Sequence, residues 1–390
     1  MLKNVTVIGD GQLARMMQPA AVELGIKLRV LTSEQASSAA QVIPDIVVGD
    51  YQKTADCLTA AQGADAVTFD HEHVPPQALQ ALLAEGYAVE PHPEALIYAQ
   101  DKLAQRRLLV QLGAPVPEFA AIGSVQDALD FSEEVGGQVC LKTCRGGYDG
   151  KGVWFPESRE ELTETVEKLL AADVKLMAER KVKLHRELSV LVARNPSGEI
   201  KVWPVTMSVQ ENGVCAEAIA PAPDLDSYLE RHTRQLGKDI ADDLGVTGVL
   251  AVELFTYLVD GRETIAVNEL AMRPHNTGHW TQDGCVTSQF EQHLRAVVDF
   301  PLGETTALAP VTVMANVLGA EKDPSMPIAQ RVMEVSRRFP GAKIHLYGKD
   351  HRAGRKIGHV NLTGADVEHV RRDARLAADF LVHARWLDEK

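Results

Sequence analysis

Residues 141–152, LKTCRGGYDGKG, crowd four glycines, two lysines, an arginine, a tyrosine and an aspartate into one short stretch. Gly146, Gly147, Gly150 and Gly152 let backbone amides close on an anion, and Lys142 and Lys151 add positive charge. Residues 139–143 and 153–155 read as flanking strands, so the stretch predicts a hairpin loop closing over phosphate. A charged, solvated surface hairpin fits the same residues. Two further apolar runs, 249–255 (VLAVELF) and 265–270 (IAVNEL), surround the turn at Asp260 and Gly261, and each holds one glutamate. Buried carboxylates need partners. A three-residue loop ending at Arg262 pairs Glu253 with Glu269, whereas a two-residue turn pairs Glu253 with Asn268. Facing carboxylates repel unless a divalent cation lies between them, and these oxygen donors, with Asn268 adjacent, suit magnesium bound to nucleotide phosphates. Edge-strand glutamates facing solvent are the alternative.

Nearer the start, Gly9-Asp10-Gly11-Gln12-Leu13-Ala14 follows a β-branched run and opens a helical stretch. The pattern is a loose match to a dinucleotide fingerprint, and a helix N-terminus that binds phosphate, which uses the same physics, is the favoured reading. Asp70 and Glu72 follow a predicted strand at 66–69, where open α/β sheets bind ligands, and can accept hydrogen bonds from sugar hydroxyls.

The elements that must hold these residues alternate at first. Strands at 2–9, 26–31, 46–48, 66–69 and 87–89 interleave with helices at 12–24, 54–62 and 76–84, which predicts a parallel, doubly wound sheet. Pro19 falls inside the first helix and predicts a bend there. The rhythm stops at 91–100, and a helix follows to Leu112. From 115 to 183 the pattern is α+β: strands 119–122 and 175–179, helices 124–135 and 158–171, and the glycine-rich hairpin. Strands 188–192 and 200–205, helices 228–244 and 288–299, strands 311–318 and 342–347, and a helix at 365–383 complete the chain. This divides it into an N-terminal α/β domain (1–100), a central domain (101–300, with a mobile lid at 115–183) and a small C-terminal domain (301–390).

Composition narrows the classes. The 390 residues are 45% hydrophobic and 24% charged, too many for one small core. A net charge of −14 argues against a broad nucleic-acid-binding face and makes a local cationic cluster more informative. Apolar runs are too short for a membrane span, and the N-terminus runs straight into a strand, so a cytoplasmic protein is expected. The five cysteines form no CxxC pair and read as free thiols.

Lys102, Lys142 before the glycine-rich loop, Glu179-Arg180-Lys181-Val182, Glu187, Glu253 and Asn268-Glu269 resemble the ATP-grasp superfamily in order and spacing. More narrowly, residues 145–152 (RGGYDGKG), 268–282 (NELAMRPHNTGHWTQ) and 354–362 (GRKIGHVNL) resemble the 5-(carboxyamino)imidazole ribonucleotide synthases. The resemblance covers essentially the whole chain. It implies an ATP-grasp fold, α/β and α+β, with a Rossmann-like pre-ATP-grasp domain first and a small C-terminal domain last. It implies that Lys102 and Lys142 contact ATP phosphates, residues 146–152 cover them, Glu179 to Val182 line adenine, Glu187 holds the ribose, and Glu253, Asn268 and Glu269 hold Mg2+. Tyr148, Asp149, Lys151, Arg273 and His275 are then the candidates to place bicarbonate and manage the amine proton. Lys349, Arg355 and Lys356, with the amides at Gly11, Gln12 and Leu13, would take the ribonucleotide phosphate, with Asp70 and Glu72 on its ribose and Asn276 nearby. The implied reaction joins bicarbonate to 5-aminoimidazole ribonucleotide at the expense of ATP, in a homodimer. The chain departs from the family pattern at Met207 and Ser208, which leaves Gln210 to replace a histidine contact, and at Lys151, which lacks arginine's fork. Another ATP-grasp carboxylase or formate-dependent ligase shares the nucleotide residues. An oxidoreductase rests on residues 9–14 alone, and a nucleotide sensor gives no reason for facing glutamates.

Overall fold

The computed structural model describes residues 3–146, 152–211 and 213–388. At the start, the β-branched run Asn4–Ile8 pairs in parallel with Lys27–Thr32 and Ala66–Phe69, and Asp45–Val48 completes the four-stranded sheet. The helix Gln12–Leu24 buries Leu13, Met16, Met17 and Ala20 on one face and ends at Gly25 in the left-handed region, φ 68°. Pro19 stays inside this helix. The expected strand at 87–89 is reduced to one parallel bridge, Val67 to Val89. After it comes a helix, Pro93–Gln100, where only a break in rhythm was expected; Pro93 occupies its first turn and the His92 ring accepts the Glu94 N–H at 3.3 Å.

A second four-stranded sheet has the order Phe119–Ile122, Leu176–Arg180, Val139–Thr143, Val153–Trp154. Two helices back it, each started by a serine cap: Ser124 accepts from Asp127 N and Ser158 from Glu161 N, both at 3.1 Å. Residues 147–151, with Gly147, Tyr148, Asp149, Gly150 and Lys151, lie outside the described residues.

Among the described residues the largest sheet runs Arg262–Ala271, Gly248–Val259, Arg186–Arg194, Thr206–Glu211, Val214–Ala220, Val311–Leu318, Lys356–Gly364, Lys343–Leu346, with Ile200–Val202 added beside Arg186–Arg194. The C-terminal strands thus continue the central sheet, carrying residues 349–356 toward the N-terminal sheet. Two helices, Ile328–Arg338 and Val367–His383, pack there, the first unforeseen in the sequence. No described helix is long and apolar enough to cross a membrane. All five cysteines are buried and free.

Candidate active site

Glu253 does stand opposite Glu269, but not for the expected reason. The turn is a two-residue one, Asp260 (φ 49°) and Gly261 (φ 77°), so Val259 pairs with Arg262. The register then shifts between Glu253 and Leu254, leaving Asn268 as the extra residue of a bulge and restoring the glutamate pair. Remote groups pin the bulge: Arg106 Nη2 donates to Asn268 O at 2.5 Å, and Val267 N donates to Pro115 O at 2.7 Å.

Arg106 was missed in the sequence because nothing in its helical run separates it from Arg107. It is 1% exposed, and its Nε donates to Glu179 Oε1 at 2.5 Å. Lys142 Nζ meets the other oxygen of Glu179 at 2.6 Å and lies 3.5 Å from Asn268 Oδ1. Burial alone would raise the Glu179 carboxyl, but the two cations hold it below its ordinary range. Its carboxylate is therefore committed to cations rather than adenine, and the Lys181 N–H is already bonded to Gln138 O at 2.8 Å. Lys142, Glu179 to Val182, Glu187, Gln210, Asn268 and Glu269 line one cavity of about 370 Å3, with Phe155, Leu184 and Phe255 as apolar wall. Glu187 is raised to about 7 by burial and then by Glu253, while Gln210 donates a hydrogen bond to it and holds it down. Gln210 also reaches Ser208 Oγ at 2.8 Å, so the departing Ser208 joins the Glu187 cluster through Gln210, whereas Met207 packs against the apolar core.

At the cavity's inner end Lys102 pairs with Glu269, and His275 Nε2 lies 2.9 Å from Glu253 Oε1. The other His275 nitrogen, Nδ1, meets Thr277 Oγ1 at 2.8 Å. Glu253 is lowered: burial opposes this, and the hydrogen bond and charge of His275 outweigh it, with Lys102 and Arg273. A second cavity, about 430 Å3, reaches the same Glu253, Glu269 and His275 from the side of Glu72, Arg145 and Gly146.

A third cavity, about 890 Å3, joins Gly11, Gln12, Leu13, Asp70 and Glu72 to Arg273, His275, Asn276, Lys349, Arg355 and Lys356. Sequence reasoning brought these residues together; it missed Arg352 and His71, which line the same space. Two roles look different in the structure. Glu72 Oε1 is 2.8 Å from Arg273 Nε, which keeps that carboxyl lowered against burial. Asp70 accepts the Gly11 N–H at 2.5 Å, so that amide is spoken for; the helix has no side-chain cap, and the next amides at its N-terminus are those of Gln12 and Leu13. Lys349 bonds Gln12 Oε1 and is pushed down to about 8 by burial, then by Arg355. Asp70 is raised to about 7, by burial first and Asp10 next, with the Gly11 bond opposing.

His275 lines all three cavities, Glu253 is shared by the first two, and Arg273 is shared by the second and third, so the aromatic-walled space and the cationic space are joined through the one between them. Lys102 and Lys142 beside the facing glutamates Glu253 and Glu269, between two sheets, define an ATP-grasp ligase. Residues 107–290 match the ATP-grasp domain family, 2–100 the ribonucleotide synthetase preATP-grasp domain and 312–373 the phosphoribosylaminoimidazole carboxylase C-terminal domain. The chain belongs to the N5-carboxyaminoimidazole ribonucleotide synthase family. It is 63% identical to that synthase from Corynebacterium ammoniagenes over 385 residues, 98% of this chain and 93% of the relative. Against the Mycobacterium bovis synthase identity is 49%, over 98% of this chain and 89% of the relative. The fold is similar to the crystal structure of an N5-carboxyaminoimidazole ribonucleotide synthetase with ADP (TM-score 0.88, 34% identity, 99% of both chains). It is also similar to the Aspergillus clavatus N5-carboxyaminoimidazole synthase with ADP and 5-aminoimidazole ribonucleotide (TM-score 0.86, 29% identity, 97% of this chain and 98% of that one).

Proposed function

We propose that this ligase carboxylates 5-aminoimidazole ribonucleotide to N5-carboxyaminoimidazole ribonucleotide with ATP and bicarbonate, in purine biosynthesis. The supporting observation is the meeting of the three cavities at His275, whose ring is paired with Glu253. ATP lies in the cavity between the lid sheet and the central sheet, its ribose on Glu187 and its adenine against Phe155, Leu184 and the backbone near Val182. Lys102 and Lys142 exchange their glutamate partners for phosphate oxygens, which hold the γ-phosphoryl group in place. The ribonucleotide lies in the largest cavity, its phosphate on Lys349, Arg355, Lys356 and the free amides of Gln12 and Leu13.

The donor set fits magnesium. Among the described residues no group of three or more His, Cys, Asp or Glu side chains is arranged to hold a metal ion. Mg2+, however, binds through one or two carboxylates completed by water and substrate phosphates, which Glu253 and Glu269 with Asn268 supply. When bound, the ion neutralises charge on the transferring phosphoryl group.

A bicarbonate oxygen attacks the γ-phosphorus and ADP leaves; the carboxyphosphate formed breaks down to CO2 and phosphate beside the exocyclic amine, whose nitrogen takes up the carbon and gives up a proton. Arg273 and His275, with Tyr148 and Lys151 of the loop, place bicarbonate, and Asp149 or His275 receives the proton. The loop keeps water from the labile intermediate and product. We extend the proposal to a homodimer, which light scattering of the purified protein tests, and to the cytoplasm, which cell fractionation tests. The reaction is tested by ADP release: it should need magnesium and depend on both bicarbonate and the ribonucleotide.

A further inference from the structure

Gln289 opens the helix Gln289–Val297 and is completely buried. Its side-chain amide grips both backbone polar groups of His275: Oε1 accepts the His275 N–H at 2.8 Å, and Nε2 donates to His275 O at 2.8 Å. The second Nε2 hydrogen reaches His279 Nδ1 at 2.9 Å. Every hydrogen of the amide is thus used, and turning the amide over would oppose two donors at His275. The segment around His275 has left its strand at Ala271, so no ladder partner satisfies these backbone groups; the Gly278 N–H also reaches His275 O at 2.9 Å, and the His275 N–H has Gln289 as its acceptor. Gly278 keeps the approach open, because a Cβ there would collide with Gln289 Oε1.

The His275 ring is held separately, by Glu253 and Thr277. Substrate or metal arriving at Glu253 competes for one of those ring bonds, whereas the grip of Gln289 on the main chain is independent of what fills the cavities. We propose that Gln289 is a positioning residue of the ligase reaction: without touching substrate, it fixes the backbone from which His275 and its neighbour Arg273 reach the reacting groups. This rests on the reading that His275 faces those groups.

One helical turn further on lies a matched comparison. Gln292, also completely buried, grips Gly303 in the same way, with Oε1 accepting Gly303 N at 2.7 Å and Nε2 donating to Gly303 O at 2.8 Å. Gly303 lines none of the three cavities. Removing either amide orphans a buried backbone N–H, of His275 or of Gly303, and His275 O keeps the Gly278 N–H while Gly303 O loses the Gln292 donor, so the control is at least as severe structurally, but only Gln289 holds the site.

The test is steady-state kinetics of full-length Gln289→Met and Gln292→Met, with ADP and carbamate product measured together. Gln289→Met should lower kcat by about 10- to 100-fold, the cost of a misplaced reacting group. Its KM for ATP should stay within about twofold, and more ADP should be released per carbamate formed. Gln292→Met should lower thermal stability similarly and keep kcat within about twofold. Equal kcat for the two variants, or a Gln289→Met enzyme as fast and as tightly coupled as the native one, overturns the proposal. If Gln289→Met does not fold, Gln289→Glu keeps size and acceptor, loses the donors, and should show the same kcat loss. His275→Asn run alongside separates the two readings. A full-speed His275→Asn removes the reading of His275 and the proposal with it; an impaired His275→Asn beside a full-speed Gln289→Met overturns the proposal alone.

Discussion

Asp70→Asn should stabilise the protein while weakening the ribonucleotide site. Asp70 is 8% exposed, accepts the Gly11 N–H and packs so closely under Gly9 that a Cβ there would overlap Oδ1. Burial raises its carboxyl from 3.8 to about 7, so the native state binds more protons than the unfolded chain between those values. The sign follows: the contribution of this group to stability is fully present below 3.8 and is lost as pH rises through about 7. At about 1.36 kcal/mol per unit, ionised Asp70 costs the fold about 4 kcal/mol by pH 8, of which roughly 2–3 kcal/mol accrues between pH 5 and pH 8. Asparagine keeps the acceptor for Gly11 and carries no charge. Urea and thermal unfolding of both proteins at pH 5 and pH 8 should show Asp70→Asn ahead at both, with the gap widening by that roughly 2–3 kcal/mol at pH 8. The same variant should raise KM for the ribonucleotide and leave that for ATP unchanged, a trade of activity for stability. A gap that does not change with pH, or an asparagine variant less stable than the native protein at pH 8, would refute the reasoning.

Lys349→Ala with Arg355→Ala should raise KM for the ribonucleotide far more than KM for ATP; equal effects on both would remove these residues from the phosphate site. Glu253→Gln with Glu269→Gln should leave a folded protein whose ADP release no longer saturates at any attainable magnesium concentration. An unchanged magnesium dependence would show that the ion is held elsewhere.

Periodicity and turn chemistry were enough for the N-terminal parallel sheet, because Asn4–Ile8, Lys27–Thr32 and Ala66–Phe69 each adjoin at least one helix, and the helix between the first two stops at Gly25. The Asp260-Gly261 turn was visible, but its length was not, and the pairing of Glu253 with Glu269 was reached through a loop that does not exist. The bulge at Asn268 depends on Arg106 and Pro115, which are far away in the chain, and no local signal reports such contacts. The same limit hid Gln289, an ordinary first-turn glutamine until its contact with His275 is seen. Charges were legible as residues but not as pairs: Glu72, read as a ribose acceptor, is held by Arg273, and Glu179, read as part of the adenine lining, has its carboxylate between Arg106 and Lys142.

ADP release at saturating magnesium, ATP and bicarbonate, measured before and after adding 5-aminoimidazole ribonucleotide, tests the ligase reaction most directly. Release should rise sharply on addition and match the carbamate formed. A rate indifferent to the ribonucleotide would contradict the assignment of the acceptor and of the cavity that holds it.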